Sequence, residues 1–439
     1  MNILLIFPKV KYHHSNLKTE KEVIYKIFGE GISLTLPQVA ASTPDKHNVE
    51  IIDENYEKIN FDKIKDFDIV GITSLTMSSS QAYKLADKIR LMKIPVVLGG
   101  NHPSALPEEA KKHADSVVIG EAENTWPQLL NDFENGKLKP FYVSDKSITP
   151  SSIPVPRRDL IKRRYYVDGL LIKRGCPNRC EFCFISSKYN KGIRSIDNVL
   201  DEIKNIPVGS IFILDQNLTW DMKYTKDFLR KIKNSGKKWL ANGTINVLYN
   251  DDEFLRLAKE ANLFYWYIGF ESISQKSLNG VNKKQNKVEK YASAIEKIKD
   301  HGMLISGSFM FGFDEDTSEI FDDTLNAIDE WGIDVAEFHI VTPYPGTDLY
   351  DRLKKEGRIL HEDWSKYNTA NVVFQPKNMT TEELFEGTKS VAKRFYTIPK
   401  ILKRSYKTLE NSKNIYYFYY ILQRGLQYRE RYKNQFNFK

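Results

Sequence analysis

Cysteine is scarce in this chain: there are three in 439 residues, and none lies outside the short stretch Cys176–Cys183. A disulfide framework is therefore excluded, because such frameworks need pairs spread along the chain. Long apolar runs are missing too. No eighteen consecutive apolar residues occur, so no segment reads as a membrane-spanning helix. The opening residues, Met1 to Pro8, lack a basic region and a small-residue cleavage site. The expected location is the cytoplasm, whose reducing conditions suit free thiols. Acidic residues nearly vanish from 389–439, which holds 13 Lys and Arg against Glu410 and Glu430. That surplus of +11 exceeds the net +8 of the whole chain, so the basicity belongs to the tail. What is present, 41% hydrophobic and 28% charged residues, describes a globular chain too long for one core, with two domains and a tail expected.

The three cysteines stand in Cys176-Pro-Asn-Arg-Cys180-Glu-Phe-Cys183, spaced C-x3-C-x2-C. Thiolates are the usual ligands of iron–sulfur clusters, and a four-iron cluster normally takes four. Three leave one iron open to a small ligand. Structural zinc closes with four side chains, usually as two separated pairs. Here a fourth cysteine is lacking, and the nearest histidine in sequence, His113, is more than sixty residues away. The metal expected at Cys176, Cys180 and Cys183 is thus a [4Fe–4S] cluster.

Ahead of that loop, Ile3–Phe7, Val49–Asp53, Ile69–Ser74, Val96–Leu98 and Ser116–Ile119 are short Val- and Ile-rich runs, alternating later with helical stretches Ser80–Leu91 and Pro107–His113. This βαβα pattern predicts a parallel sheet over 1–145, with ligands beyond the C-terminal strand ends. At those ends stand Thr73-Ser74-Leu75, Gly99-Gly100-Asn101-His102 and Gly120-Glu121. Taken singly, glycine after a strand marks only a turn. In order, the set resembles the cobalamin-binding domain, in which such elements cradle the nucleotide tail. The resemblance implies cobalamin contacts from Thr73, Ser74, Leu75, Gly99, Gly100, Asn101, Gly120 and Glu121. The D-x-H-x-x-G loop that ligates cobalt from below has no counterpart in Pro8-Lys9-Val10-Lys11-Tyr12-His13-His14, so no lower histidine is expected. His102, in a polar turn, reads as a hydrogen-bonding or surface residue.

Three prolines in Ser147–Pro156 predict a stiff linker over 146–160. Beyond it, strand candidates Leu170–Lys173, Ser210–Leu214, Trp239–Asn242, Phe264–Phe270, Ser306–Phe311 and Val335–Thr342 alternate with helical Asp197–Asn205, Lys223–Asn234, Asp252–Ala261, Lys287–Asp300 and Ser318–Trp331. Six βα units predict a partial (β/α)6 barrel over 161–350, with active residues at C-terminal strand ends. The cysteine loop and the strand ends downstream of it resemble the radical S-adenosylmethionine (SAM) superfamily. That resemblance implies SAM on the open iron, Phe182 against adenine, and SAM contacts from Asp215, Gln216, Glu271, Ser308 and Thr342. Asp215 and Tyr344 are the candidate catalytic residues; His339 lies in an apolar run and reads as core.

A cobalamin-like domain, a Pro-rich linker and a radical SAM barrel together resemble class B radical SAM methylases. The fold class implied is α/β: a Rossmann-like cobalamin-binding domain, a partial TIM-like barrel, and a helical region over 351–439. The implied reaction uses one SAM to methylate cobalamin. A second SAM yields a 5′-deoxyadenosyl radical, and methylcobalamin then methylates an unactivated carbon of a peptide or protein, lipid or small molecule. The alternatives are a non-methylating cyclase, ring rearrangement or epimerase, and a cofactor-binding sensor without turnover. A reductant such as flavodoxin or ferredoxin is implied. Nucleic acid is not an expected partner. Twelve aromatics in 389–439 predict a helical cover on the barrel with a solvated basic side, and peripheral membrane contact is the alternative.

Overall fold

A computed structural model describes residues 1–10, 33–144, 153–162, 165–185 and 191–438. Residues 146–152 of the expected linker and 11–14 of the first strand-end loop lie outside the described residues. No helix among those described is long and apolar enough to cross a membrane.

Six strands form the first sheet: β1 (Asn2–Phe7), β2 (Asn48–Asp53), β3 (Ile69–Thr73), β4 (Val96–Gly99), β5 (Ser116–Ile119) and β6 (Phe141–Val143). Their order is β2-β1-β3-β4-β5-β6, every pair parallel. Both faces are covered, as a parallel sheet requires. Leu4 and Ile6 pack with Ala82, Leu85 and Ile89 of helix Ser79–Leu91, while Ile3 and Leu5 pack with Trp126, Leu129 and Leu130 of helix Ala122–Glu134. Strand order reverses between β1 and β3, the place where such sheets open a crevice.

The second sheet runs β7 (Val167–Leu170), β10 (Ser210–Ile213), β11 (Lys238–Gly243), β12 (Leu263–Glu271), β13 (Leu304–Phe311), β14 (Val335–Ile340), all parallel. This is the expected open (β/α)6 barrel. Most boundaries shift by one or two residues; the larger difference is that Leu170–Lys173 is not a single strand. The chain leaves the sheet at Leu170, and β8 (Lys173–Arg174) pairs antiparallel with β9 (Gly192–Ile193). The cause is local. The N–H groups of Ile172 and Lys173 both donate to Asp215 Oδ1, at 2.8 and 3.0 Å, and so leave the ladder.

The tail covers the barrel, as its aromatics predict. Helices Thr381–Phe395, Ile398–Ser412 and Ile415–Phe436 pack on the β14 side. An edge strand presents unpaired N–H groups, and these are met one by one. Ala336 N donates to Tyr396 Oη at 3.1 Å, Phe338 N to Tyr432 Oη at 2.7 Å, and Ile340 N to the Thr369 carbonyl at 2.8 Å.

Candidate active site

Beyond the first sheet, the loops after β3, β4 and β5 interlock. Ser74 N donates to the Gly99 carbonyl and His102 N to the Ser74 carbonyl. Ser104 Oγ joins the Gly100 carbonyl to Gly120 N. Gly100 adopts φ +99°, and a Cβ there would lie 2.8 Å from the Ser74 carbonyl oxygen, so no side chain fits. Leu75 is left more than half exposed at this lip, an apolar surface bordered by bare glycine backbone. Gly99, Gly100, Asn101 and Gly120 are partly exposed beside it. His102 is fully buried instead, its Nε2 3.2 Å from Glu109 Oε1.

Glu121, next to Gly120, is buried. With Glu123 it clamps Arg174, two residues ahead of Cys176, through a 3.0 Å bond from Arg174 Nη1 to Glu121 Oε1 and a second bond from Nη2 to Glu123 Oε1. All three side chains are at most 15% exposed, so the pairing is protected from solvent screening. Lys173-Arg174-Gly175 ahead of a cluster loop is the sequence signal for this contact, but local pattern does not name the partner carboxylates. A second joint forms where Glu109 accepts from Tyr83 Oη at 3.0 Å and from Trp364 Nε1 at 3.0 Å.

The cysteine loop rests on a segment that sequence reasoning missed, 281–286. Glu181 N donates to the Val281 carbonyl, Asn282 Nδ2 to the Arg179 carbonyl, and Gln285 Nε2 points at Cys180 Sγ from 3.8 Å. Lys283 Nζ donates to Glu271 Oε1 at 2.5 Å and lies 5.8 Å from the Phe182 ring centre. Burial opposes the Lys283 charge, but Glu271 and Cys180 outweigh it and hold the ammonium above its ordinary value. Burial also pushes the Cys180 thiol up to about 11, with Lys283 and Gln285 acting in the opposite sense. Glu271 itself has φ +65° at an irregularity in the β12–β13 register, a strained conformation for a residue with a side chain. Nothing in local periodicity ties Lys283 to Glu271, twelve residues earlier.

The remaining expected residues divide. Gln216 is exposed at the end of β10, Ser308 is buried on β13, and Thr342 is buried with its hydroxyl donated to the Ile340 carbonyl. Asp215 is fully buried beneath the cysteine loop rather than facing solvent. Tyr344 is partly buried against the cluster of Tyr350, Trp364 and Tyr367 that also takes in Leu106 of the first domain. It therefore stands between the two domains, and its hydroxyl bonds to none of the described residues. Burial raises its pKa well above the ordinary value, so the phenol keeps its proton at neutral pH. His339 is not plain core: Nε2 lies 3.4 Å from Glu337 Oε2 and Nδ1 3.1 Å from Thr369 Oγ1.

Family models match both domains: the radical SAM superfamily over 170–328 and the B12 binding domain over 21–130. A domain of unknown function (DUF4070) matches 347–417. Bacteriochlorophyllide d C-12(1)-methyltransferase of Chlorobaculum tepidum is 31% identical to this chain, over 84% of each. Bacteriochlorophyllide d C-8(2)-methyltransferase of the same organism is 34% identical, over 78% of this chain and 80% of its own length. The chain belongs to the cobalamin-dependent radical SAM methyltransferases. Two solved structures share the fold at 16% identity, a radical SAM methyltransferase and a cobalamin-dependent SAM radical enzyme. TsrM from Kitasatospora setae aligns with a TM-score of 0.64 over 81% of this chain and 75% of its own, and OxsB with 0.66 over 93% and 70%.

Such an enzyme takes a [4Fe–4S] cluster, SAM and cobalamin, and the residues present fit all three. Among the described residues no three His, Cys, Asp or Glu side chains close on a single metal ion. Cys176, Cys180 and Cys183 are the chain's three cysteines, and three thiol donors are the set a SAM-binding cluster needs. Lys283 and Glu271 supply a paired charge of each sign beside them for the amino-acid part of SAM. At the lip, exposed Leu75 and partly exposed Gly99 and Gly100 leave backbone open to the close approach that a group such as cobalamin would need.

Proposed function

We propose that this enzyme methylates an unactivated carbon of a small-molecule substrate, a ring-bearing carboxylate of the kind its two quoted relatives are named for. The observation that carries the reading is the Arg174 clamp. It ties the strand-end loop Gly120–Glu123 of one cofactor domain to the base of the cysteine loop of the other. Cofactors bound at these two loops would both reach one bound carbon, which is the geometric requirement of radical methylation.

When bound, SAM at the reduced cluster supplies a carbon radical able to take a hydrogen atom, and cobalamin supplies the methyl group. The protein's share is positioning. Cys176, Cys180 and Cys183 hold the iron, Phe182 offers an aromatic face, and Lys283 pairs with the SAM carboxylate while Glu271 orients its amino or ribose groups. Gln216, Ser308 and Thr342 line the same strand ends. Thr73, Ser74, Leu75 and Gly99–Asn101 cradle cobalamin, with Gly120 at the edge and Glu121 in the clamp. Asp215 is a positioning residue that fixes where the cysteine loop departs from the sheet. Tyr344, protonated and placed between domains, is the candidate donor of a hydrogen bond or proton to substrate. Tyr267, Met310 and His339, partly exposed on the lumen side of β12–β14, form the substrate wall.

The test is anaerobic turnover with SAM carrying a deuterated methyl group, against a panel of chlorin and porphyrin carboxylates. Product heavier by one labelled methyl supports the proposal. A product of unchanged mass, or one lighter by two hydrogens, means rearrangement or cyclisation and overturns it.

A further inference from the structure

The two antiparallel C-terminal helices, Ile398–Ser412 and Ile415–Phe436, turn one side to the barrel and leave the other bare. The hairpin is firmly held, helix to helix, on helix Thr381–Phe395 and on the barrel. Gly425 meets Ile401 so closely that a Cβ would lie 2.7 Å from Ile401 Cγ2, Arg404 stacks on Phe395 at 3.8 Å, and Thr408 Oγ1 donates to Asp334 at 2.9 Å. On the outer side, Ile398, Leu402 and Tyr406 recur at helical spacing on the first helix, and Ile415, Tyr419 and Leu426 on the second. All six are between 38% and 57% exposed. They are half of the twelve exposed large hydrophobic residues among those described, gathered within 29 consecutive positions. The two rows adjoin, since the Tyr406 and Phe418 rings sit 5.1 Å apart across the hairpin.

Scattered exposed apolar residues are ordinary, but a contiguous stripe on a rigid hairpin marks a contact surface. Its flank identifies the contact. Lys403, Lys407 and Lys413 are exposed beside the stripe, and none is paired with a carboxylate among the described residues, while Lys400 is taken by Asp329. Aliphatic and tyrosine side chains on one side with lysines along the edge is the pattern that seats a helix in the headgroup zone of a bilayer. A nucleic acid would leave Ile398, Leu402, Ile415 and Leu426 without stacking partners.

We propose that the outer face of this hairpin docks the enzyme onto an anionic lipid surface, Ile398, Leu402, Tyr406, Ile415, Tyr419 and Leu426 entering the interface and Lys403, Lys407 and Lys413 meeting the headgroups. None of these residues belongs to the cofactor sites, so the inference stands independently of the proposed reaction.

Flotation of the full-length, cofactor-loaded protein with lipid vesicles tests it. Vesicles containing about a third phosphatidylglycerol are expected to carry the protein, and pure phosphatidylcholine vesicles are not. Lys403→Gln and Lys407→Gln are each expected to weaken binding roughly fivefold. Leu402→Ser with Tyr419→Ser is expected to abolish it, with 5′-deoxyadenosine release from SAM and the circular dichroism spectrum unchanged. Equal binding to both vesicle types, no binding to either, or full binding by the lysine variants overturns the proposal. So does a solution dimer that Leu402→Ser separates, because a second copy would then cover the face, or single-stranded RNA binding that anionic vesicles fail to displace.

Discussion

Asp215 illustrates how much a single residue's role depends on its surroundings. Its place after an apolar strand suggests a group facing the cofactor, yet its Oδ1 takes two backbone N–H groups and none of it meets solvent. Burial pushes its pKa up to about 6, against the pull of those two bonds and of Lys173. A carboxyl whose folded value lies above its unfolded one binds its proton more tightly when folded. Stability from this group is therefore full below pH 4 and falls as pH rises from about 4 to 6, by roughly 3 kcal/mol. Asp215→Asn keeps the acceptor and removes the charge. Denaturation midpoints measured from pH 4 to 7 are expected to lose most of that fall. Tyr344 gives a second prediction at this scale. Tyr344→Phe is expected to lower product formation by about a hundredfold while 5′-deoxyadenosine release continues. Loss of both together would mean that the hydroxyl serves SAM cleavage or the fold rather than the substrate. The cysteines, Phe182 and Glu271 could be singled out in the sequence because each sits in a dense local motif, and the structure brings Lys283 beside Cys180, Phe182 and Glu271. Lys283 could not be singled out, because the contact that gives it meaning crosses from the loop after β12 to the cysteine loop.

Elements were mostly readable, since each barrel strand is a short apolar run bounded by polar turns. The failures have physical causes. Leu170, Leu171 and Ile172 continue an apolar run past the point where Asp215 takes the backbone out of the sheet. The three-residue β6 is too short to show a period. The closure of β14 was invisible for a different reason: it depends on two tyrosine hydroxyls from helices roughly 60 and 94 residues further on. Each leaves a buried N–H unpaired if removed, at about 1–3 kcal/mol. Tyr396→Phe and Tyr432→Phe are each expected to lower stability by that amount in chemical denaturation, without changing substrate choice. An unaltered midpoint in both would mean that the edge is satisfied by water.

For the whole molecule, the order of domains was legible from strand-end motifs, but their mutual fixing was not. That fixing rests on a partly buried arginine between two carboxylates and on the Glu109 hub shared by Tyr83, His102 and Trp364. Arg174→Lys retains charge but cannot reach both carboxylates in the planar fork that arginine offers. Cobalamin retention and 5′-deoxyadenosine release are expected to survive in this variant, while methylated product per deoxyadenosine falls at least tenfold. An unchanged ratio would separate the clamp from catalysis. The claim that both domains feed one substrate carbon is tested most directly by product stoichiometry in anaerobic turnover with cobalamin present. The account predicts equal amounts of methylated product, 5′-deoxyadenosine and S-adenosylhomocysteine. Deoxyadenosine accumulating with no S-adenosylhomocysteine, or in the same yield without cobalamin, would contradict it.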